Sequence, residues 1–231
     1  MGFSEGSIKH KVHRVLGNHD VFIMGNKVLR STSRDSYGLE EHDPVCIYKK
    51  EKIIVISICS NETEGDTSFA QGKVGDLQYV KLAKELGKIK DIKNYVCIGV
   101  LHHHPLQIPK HEDIKKSFIE KSEKLVEMTM KLQDSNKFLM WCEDWNIQLI
   151  LHGHKHYPFY QKNDMMHIVA AGSSTGKQKH EDKNKIFMSF NIIKLDTKIK
   201  KVVSVNLCSV NVLGGKLHDN IKDLDNDFFL T

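Results

Sequence analysis

The chain has no apolar run approaching the ~18 residues of a membrane-spanning helix, and no basic-then-apolar stretch opens it. On this reading no helical membrane span is expected, and the protein is expected in the cytoplasm. Cys-x-x-Cys is absent too. The five cysteines (Cys46, Cys59, Cys97, Cys142 and Cys208) are odd in number and scattered, and Cys59 and Cys97 sit in or beside apolar runs. That usage predicts reduced, buried thiols rather than a disulfide framework. Blocks of one charge sign are also missing. The net charge of +5 comes with lysines spread along the chain, which reads as a solvated surface and does not imply nucleic-acid binding. No internal repeat or low-complexity segment occurs.

What remains is the composition of an ordinary globular protein. At 231 residues one α/β domain with a full core is expected. Apolar runs rich in Val, Ile and Leu predict buried strands over 12–16, 45–48, 53–58, 95–101 and 147–151. Helices are predicted over 76–90, with Leu77, Val80, Ala83 and Leu86 near one face, over 114–132, and over 136–145. Residues 166–171, 187–195 and 201–207 read as closing strands of a second sheet. The domain is taken as 1–213. The Asp- and Asn-rich segment 214–231 reads as a polar, loosely ordered tail.

Three short stretches follow three of the apolar runs: Gly17-Asn18-His19-Asp20, His102-His103-His104-Pro105 and His152-Gly153-His154-Lys155-His156. Loops at the carboxyl ends of strands in an open α/β sheet converge on a ligand crevice. Neutral imidazoles with amide or carboxylate oxygens suit a borderline divalent ion such as Zn, Fe or Mn. Each stretch also has a plainer reading. Asn18 after a glycine suits a turn, His19-Asp20 a capped helix start, and 102–104 a surface tract. In an extended loop, residues two apart point the same way, so His154 and His156 would reach neighbouring positions.

Taken together and in this order, GNHD, a histidine two before proline, and GHxH resemble the calcineurin-like metallophosphoesterases, in particular the class III cyclic nucleotide phosphodiesterase-like branch. The resemblance runs from about residue 12 to 190 and includes Gly72-Lys73-Val74-Gly75-Asp76-Leu77-Gln78, similar to the family's helix opening. It implies a two-sheet α/β sandwich flanked by helices and a dinuclear metal centre. It further implies that Asn18, His103 and His154 bind one metal and His156 the other. His19 would act on the phosphoryl group as a general acid, with Asp20 orienting its imidazole. His102 would end its strand, and His152 would pack at a strand end.

The family's opening Asp-x-His and Gly-Asp motifs do not occur ahead of Gly17. The expected domain is therefore N-terminally incomplete, residues 12–16 become an exposed sheet edge, and the metal complement falls from two ions to one or none. The implied function is hydrolysis of a phosphomonoester or phosphodiester, with a phosphorylated small molecule or phosphodiester as partner and neither nucleic acid nor membrane. The alternative is a non-catalytic binding module on the same fold.

Overall fold

The structure, a computed structural model, describes residues 13–15, 17, 43–61, 71–106, 132–156, 158–172, 186–213 and 216–229, with backbone alone for 186–188, 209–213 and 216–229. Its centre is a six-stranded sheet in the order β1-β2-β3-β4-β6-β5. β1 (Val45–Tyr48) pairs antiparallel with β2 (Ile53–Ser57). Next come β3 (Val96–Val100), β4 (Ile147–His152) and β6 (Met166–Ala170), all parallel to β2, and β5 (Phe159–Asn163) closes the far edge antiparallel to β6. Parallel strands are covered on both faces, which is why these segments are continuous apolar runs.

Period-two alternation sorts the side chains. Ile54, Ile56, Cys97, Ile150 and Ile168 face α1 (Asp76–Leu86) and α2 (Ser135–Asp144), packing with Leu82, Leu86, Phe138 and Cys142. Val55, Val96, Ile98, Leu149 and Val169 face a second, antiparallel sheet and meet Val202, Val205 and Leu207. That sheet has the order β7-β8-β9, formed by β7 (Ile186–Asp196), β8 (Lys201–Leu213) and β9 (Lys216–Phe229). The fold class is the expected two-sheet α/β sandwich with helices on the outer face of the larger sheet.

One irregularity interrupts the alternation. Between Cys97 and Ile98 the β3–β4 register shifts, so that Cys97 pairs with Ile147 and Ile98 with Leu149. Gln148 is the extra residue of this bulge. Its side-chain Oε1 accepts the Cys97 N–H at 2.6 Å and fills the gap in the ladder.

Several expectations need correction. Residues 13–15 and 17 lie in no strand, although His13 Nε2 is 2.7 Å from the Tyr48 hydroxyl. The basic His13 and Arg14 break the apolar run, and the sheet edges among the described residues are β1 and β5. The segment 166–170 belongs to the first sheet, because its fully buried MHIVA matches a central parallel strand. Residues 216–229 form β9 rather than a loose tail, since backbone pairing with β8 does not require an apolar sequence. The 114–132 helix lies outside the described residues except for Leu132. None of the five cysteines is in a disulfide, and Cys97, Cys142 and Cys208 are buried. Among the described residues no helix is long and apolar enough to cross a membrane.

The face of α1 also differs from expectation. Tyr79, Leu82 and Leu86 are buried, while Leu77 and Val80 are 80% and 70% exposed. Spacings of three and four make Tyr79, Leu82 and Leu86 one stripe. The Tyr79 hydroxyl secures it by donating to Asp134 Oδ2 at 3.1 Å, and the Val74 and Gly75 N–H groups donate to the same carboxylate. Leu82→Ala is therefore expected to cost about 2–5 kcal/mol. Leu77→Ala should stay within about 0.5 kcal/mol. Urea unfolding of the two variants distinguishes the faces.

His167 on β6 sits with Nδ1 2.9 Å from the Tyr160 hydroxyl. Burial first, then Lys162, holds its imidazole below the ordinary histidine pKa. The unfolded chain thus takes up this proton at higher pH than the folded chain, and the difference destabilises the fold as pH falls below about 6.5. His167→Gln should make that fall in urea midpoint shallower.

Candidate metal centre

The carboxyl ends of β2, β3 and β4 lie at one edge of the sheet, as parallel pairing requires. Past β2 come Ser60 and Asn61, past β3 His102, His103 and His104, and past β4 Gly153 and His154. Backbone bonds carry the pairing into the loops. Leu101 N–H donates to Leu151 O at 3.0 Å, and Gly153 N–H to His102 O at 3.0 Å. Two histidine loops are thereby laid side by side.

Three imidazoles meet there. One nitrogen from each of His102, His103 and His154 lies within 4.8 Å of the others. His154 Nδ1 and His102 Nε2 share a hydrogen bond of 2.9 Å. Ser60, wholly buried, anchors the pair from β3: its Oγ bonds His103 Nδ1 at 2.8 Å and accepts the N–H groups of His102 and His103 at 3.3 and 3.2 Å. The Ser60 carbonyl accepts the Lys73 N–H at 2.9 Å, and Gln78 holds the preceding residue. The Gln78 side-chain amide clamps both backbone groups of Cys59, accepting at 2.8 Å and donating at 2.7 Å. The motif-like run from Gly72 to Gln78 is thus tied to the site through both Lys73 and Gln78.

Glycines make the room. A Cβ on Gly72 would overlap His103 Cγ, and one on Gly17 would lie 2.8 Å from His102 Cε1. Gly17 opens the first histidine-bearing stretch, and its backbone lies against the His102 ring.

The wall is neutral. Burial, reinforced by Lys155, pushes His104 down to about 2, and burial takes His152 down to about 4. His104 lies nearly parallel to His154, with ring centroids 6.2 Å apart. The loop after β4 is not extended. His154 and His156 have left-handed φ values of 73° and 56°, a conformation costing about 1–3 kcal/mol at a non-glycine residue. The turn puts His154 inside, at 8% exposure, and His156 outside, exposed to solvent.

Of the residues singled out from the sequence, His103 and His154 are brought together. His156 stands apart from the three-histidine group, and Asn18, His19 and Asp20 lie outside the described residues. The motif reading missed His102 and Ser60. His102 becomes apparent only once the β3–β4 register is known, and Ser60 had no motif signal.

The donor set fits a metal. Two nitrogens on one tetrahedral Zn at 2.0–2.1 Å lie about 3.3 Å apart. The 2.9 Å pair therefore has to open by only a few tenths of an ångström, and the other nitrogens are within reach. Among the described residues no carboxylate joins the group.

No protein-family model and no curated protein matches the chain. Among solved structures it is similar to a single mutant of Vps29 from Entamoeba histolytica, at 10% identity and TM-score 0.26, covering 74% of this chain and 99% of that one. It is similar as well to GAP50, described as the anchor in the inner membrane complex of Plasmodium, at 11% identity and TM-score 0.34, covering 78% of this chain and 52% of that one. Wild-type Vps29 of Entamoeba histolytica complexed with Zn matches at 11% identity and TM-score 0.26, covering 73% and 98%. At such identities and scores these likenesses add nothing to the reading of the site, which stands on its own residues.

Two alanine substitutions test the packing. Gly72→Ala forces a Cβ into the His103 ring and should cost about 1–3 kcal/mol, with His103 displaced. Gly99→Ala meets its nearest atom only at 3.5 Å and should be tolerated. Urea midpoints measure both.

Proposed function

We propose that the chain is a metal-dependent phosphoesterase that hydrolyses a phosphomonoester or phosphodiester. The observation that supports this reading is the meeting of His102, His103 and His154 at the carboxyl ends of β3 and β4, with Gly17 beside them. Gly17 approaches the His102 ring, and His103 and His154 stand with His102 inside 4.8 Å. Phosphoryl transfer asks chiefly for positioning and for neutralisation of charge on the phosphoryl oxygens.

In this reading Asn18, His103 and His154 hold a divalent ion, Mn, Fe or Zn, and His156 serves a second where two are present. The ion, when bound, supplies Lewis-acid neutralisation of phosphoryl charge. The chain does the rest. Ser60 fixes the orientation of His103. Lys155, close enough to depress His104 and His152, adds positive charge for an anionic substrate. His19 donates its imidazole proton to the leaving oxygen, and Asp20 holds that imidazole in place. The neutral His104 and His152 form a wall that does not compete for the phosphate.

The test uses the full chain with bis(p-nitrophenyl) phosphate and added Mn or Zn. Hydrolysis should depend on the ion, cease with chelator, and be lost in His103→Ala and His154→Ala. His19→Ala should lower it by ~10²–10⁴-fold, the usual contribution of a general acid. Metal binding without any turnover sinks the enzymatic reading in favour of a non-catalytic metal-binding module. The lack of a carboxylate in the described cluster is the observation that favours that second reading.

A further inference from the structure

The resemblance that points to a metal gives His102 no part in holding it. The geometry does. His102 Nε2 stands 2.9 Å from His154 Nδ1, and its ring centroid is 4.9 Å from that of His103 and 4.8 Å from that of His154. We propose that His102 is a metal ligand, forming with His103 and His154 a three-imidazole site for one divalent ion. The proposal rests on the metal-binding half of the function above.

Three features beyond proximity support it. The first is aim. The left-handed backbone at His154 is costly for a residue with a Cβ, and it turns the side chain inward to meet His102 rather than out to solvent. The second is rigidity. His102 is held at its amide by Ser60 and at its carbonyl by Gly153 N–H, while Gly17 approaches one edge of the ring closely enough to exclude any side chain. A ligand fixed in this way loses little freedom on binding. The third is chemistry. Three neutral imidazoles are a recognised zinc donor set that leaves a fourth position open. They also leave the ion's full double charge in place. With the neutral Asn18 amide added, the position that remains for an exchangeable ligand then favours an anionic oxygen, either hydroxide or the oxygen of a phosphate ester, which is the substrate class already proposed.

A residue that merely orients His154 through their shared hydrogen bond would behave differently. Removing an orienting partner typically weakens metal affinity by ~10–100-fold and leaves the ligand count unchanged. Removing a ligand weakens affinity further and lowers the count by one.

The experiment uses the purified full chain, stripped of metal and titrated with zinc, and reads affinity by competition with a chromogenic chelator. X-ray absorption counts the imidazoles on the bound ion. The expected result is a count of three or more in the wild type. In His102→Ala and His102→Gln the count should fall by one, with affinity lower by more than ~10²-fold, beyond the range of an orienting residue. The wild-type count stands even if one variant fails to fold. Fewer than three imidazoles in the wild type overturns the proposal. So does an unchanged count in the His102 variants while His103→Ala loses its zinc. Zinc binding indifferent to His103→Ala and His154→Ala overturns the metal reading itself, and the two failures are thereby told apart.

Discussion

The parallel pairing of β3 with β4 is the constraint on which the site depends. Two segments separated by some fifty residues share one ladder, and the ladder continues one step beyond the strands, where the His102 carbonyl accepts the Gly153 N–H. Without that last rung, the imidazoles after β3 and those after β4 would belong to independent loops. With it, they share a depth and a direction. Burial on both faces holds the two strands in register. The helix side contributes Phe138, Leu82 and Leu86, and the second sheet contributes Val205 and Leu207. The core thus fixes the site by fixing the strands that end in it.

A second layer of support comes from small and polar groups. The Ser60 hydroxyl carries three hydrogen bonds at once, two from backbone amides and one with His103 Nδ1. It does so in full burial, where unmade hydrogen bonds are most costly. The Ser60 carbonyl accepts the Lys73 N–H, and Gln78 reaches from α1 to imitate a strand partner for the preceding Cys59. Helix α1 therefore covers the core and also transmits its position to the histidine loops. The Asp134 carboxylate at the start of α2 ties the entry of α1 to the second helix. The site, the sheet edge and both helices form one hydrogen-bonded unit.

Much of this was legible in the sequence, for a physical reason. Central parallel strands are apolar throughout, so residues 53–58, 95–101 and 147–151 stood out, and α2 announced itself through Phe138, Leu139 and Cys142. The pairing of His103 with His154 followed from motif order. Less visible was whatever depends on partners distant in sequence. β5, with Gln161, Lys162 and Asn163, is an edge strand whose polar residues conceal it. β9 exists through its backbone pairing with β8. The buried face of α1 was misplaced because Tyr79 carries a polar tip that finds Asp134, and no periodicity of aliphatic residues reports that. His102 was passed over because its neighbour across the sheet is a matter of register, which local sequence does not encode.

That register turns on a single residue. Carried forward from Cys97 opposite Ile147 without interruption, the ladder would set Val100 against Ile150 and His102 against His152. The extra residue, Gln148, moves everything above it by one place, so that Val100 meets Leu151 and a glycine, not a histidine, comes to lie beside the His102 backbone. The Gly153 N–H bonds the His102 carbonyl there, and the left-handed backbone of the next residue brings His154 round the corner. The irregularity low in the strand acts as a spacer, and the identity of the histidines that meet at the rim is decided several residues before the chain arrives there.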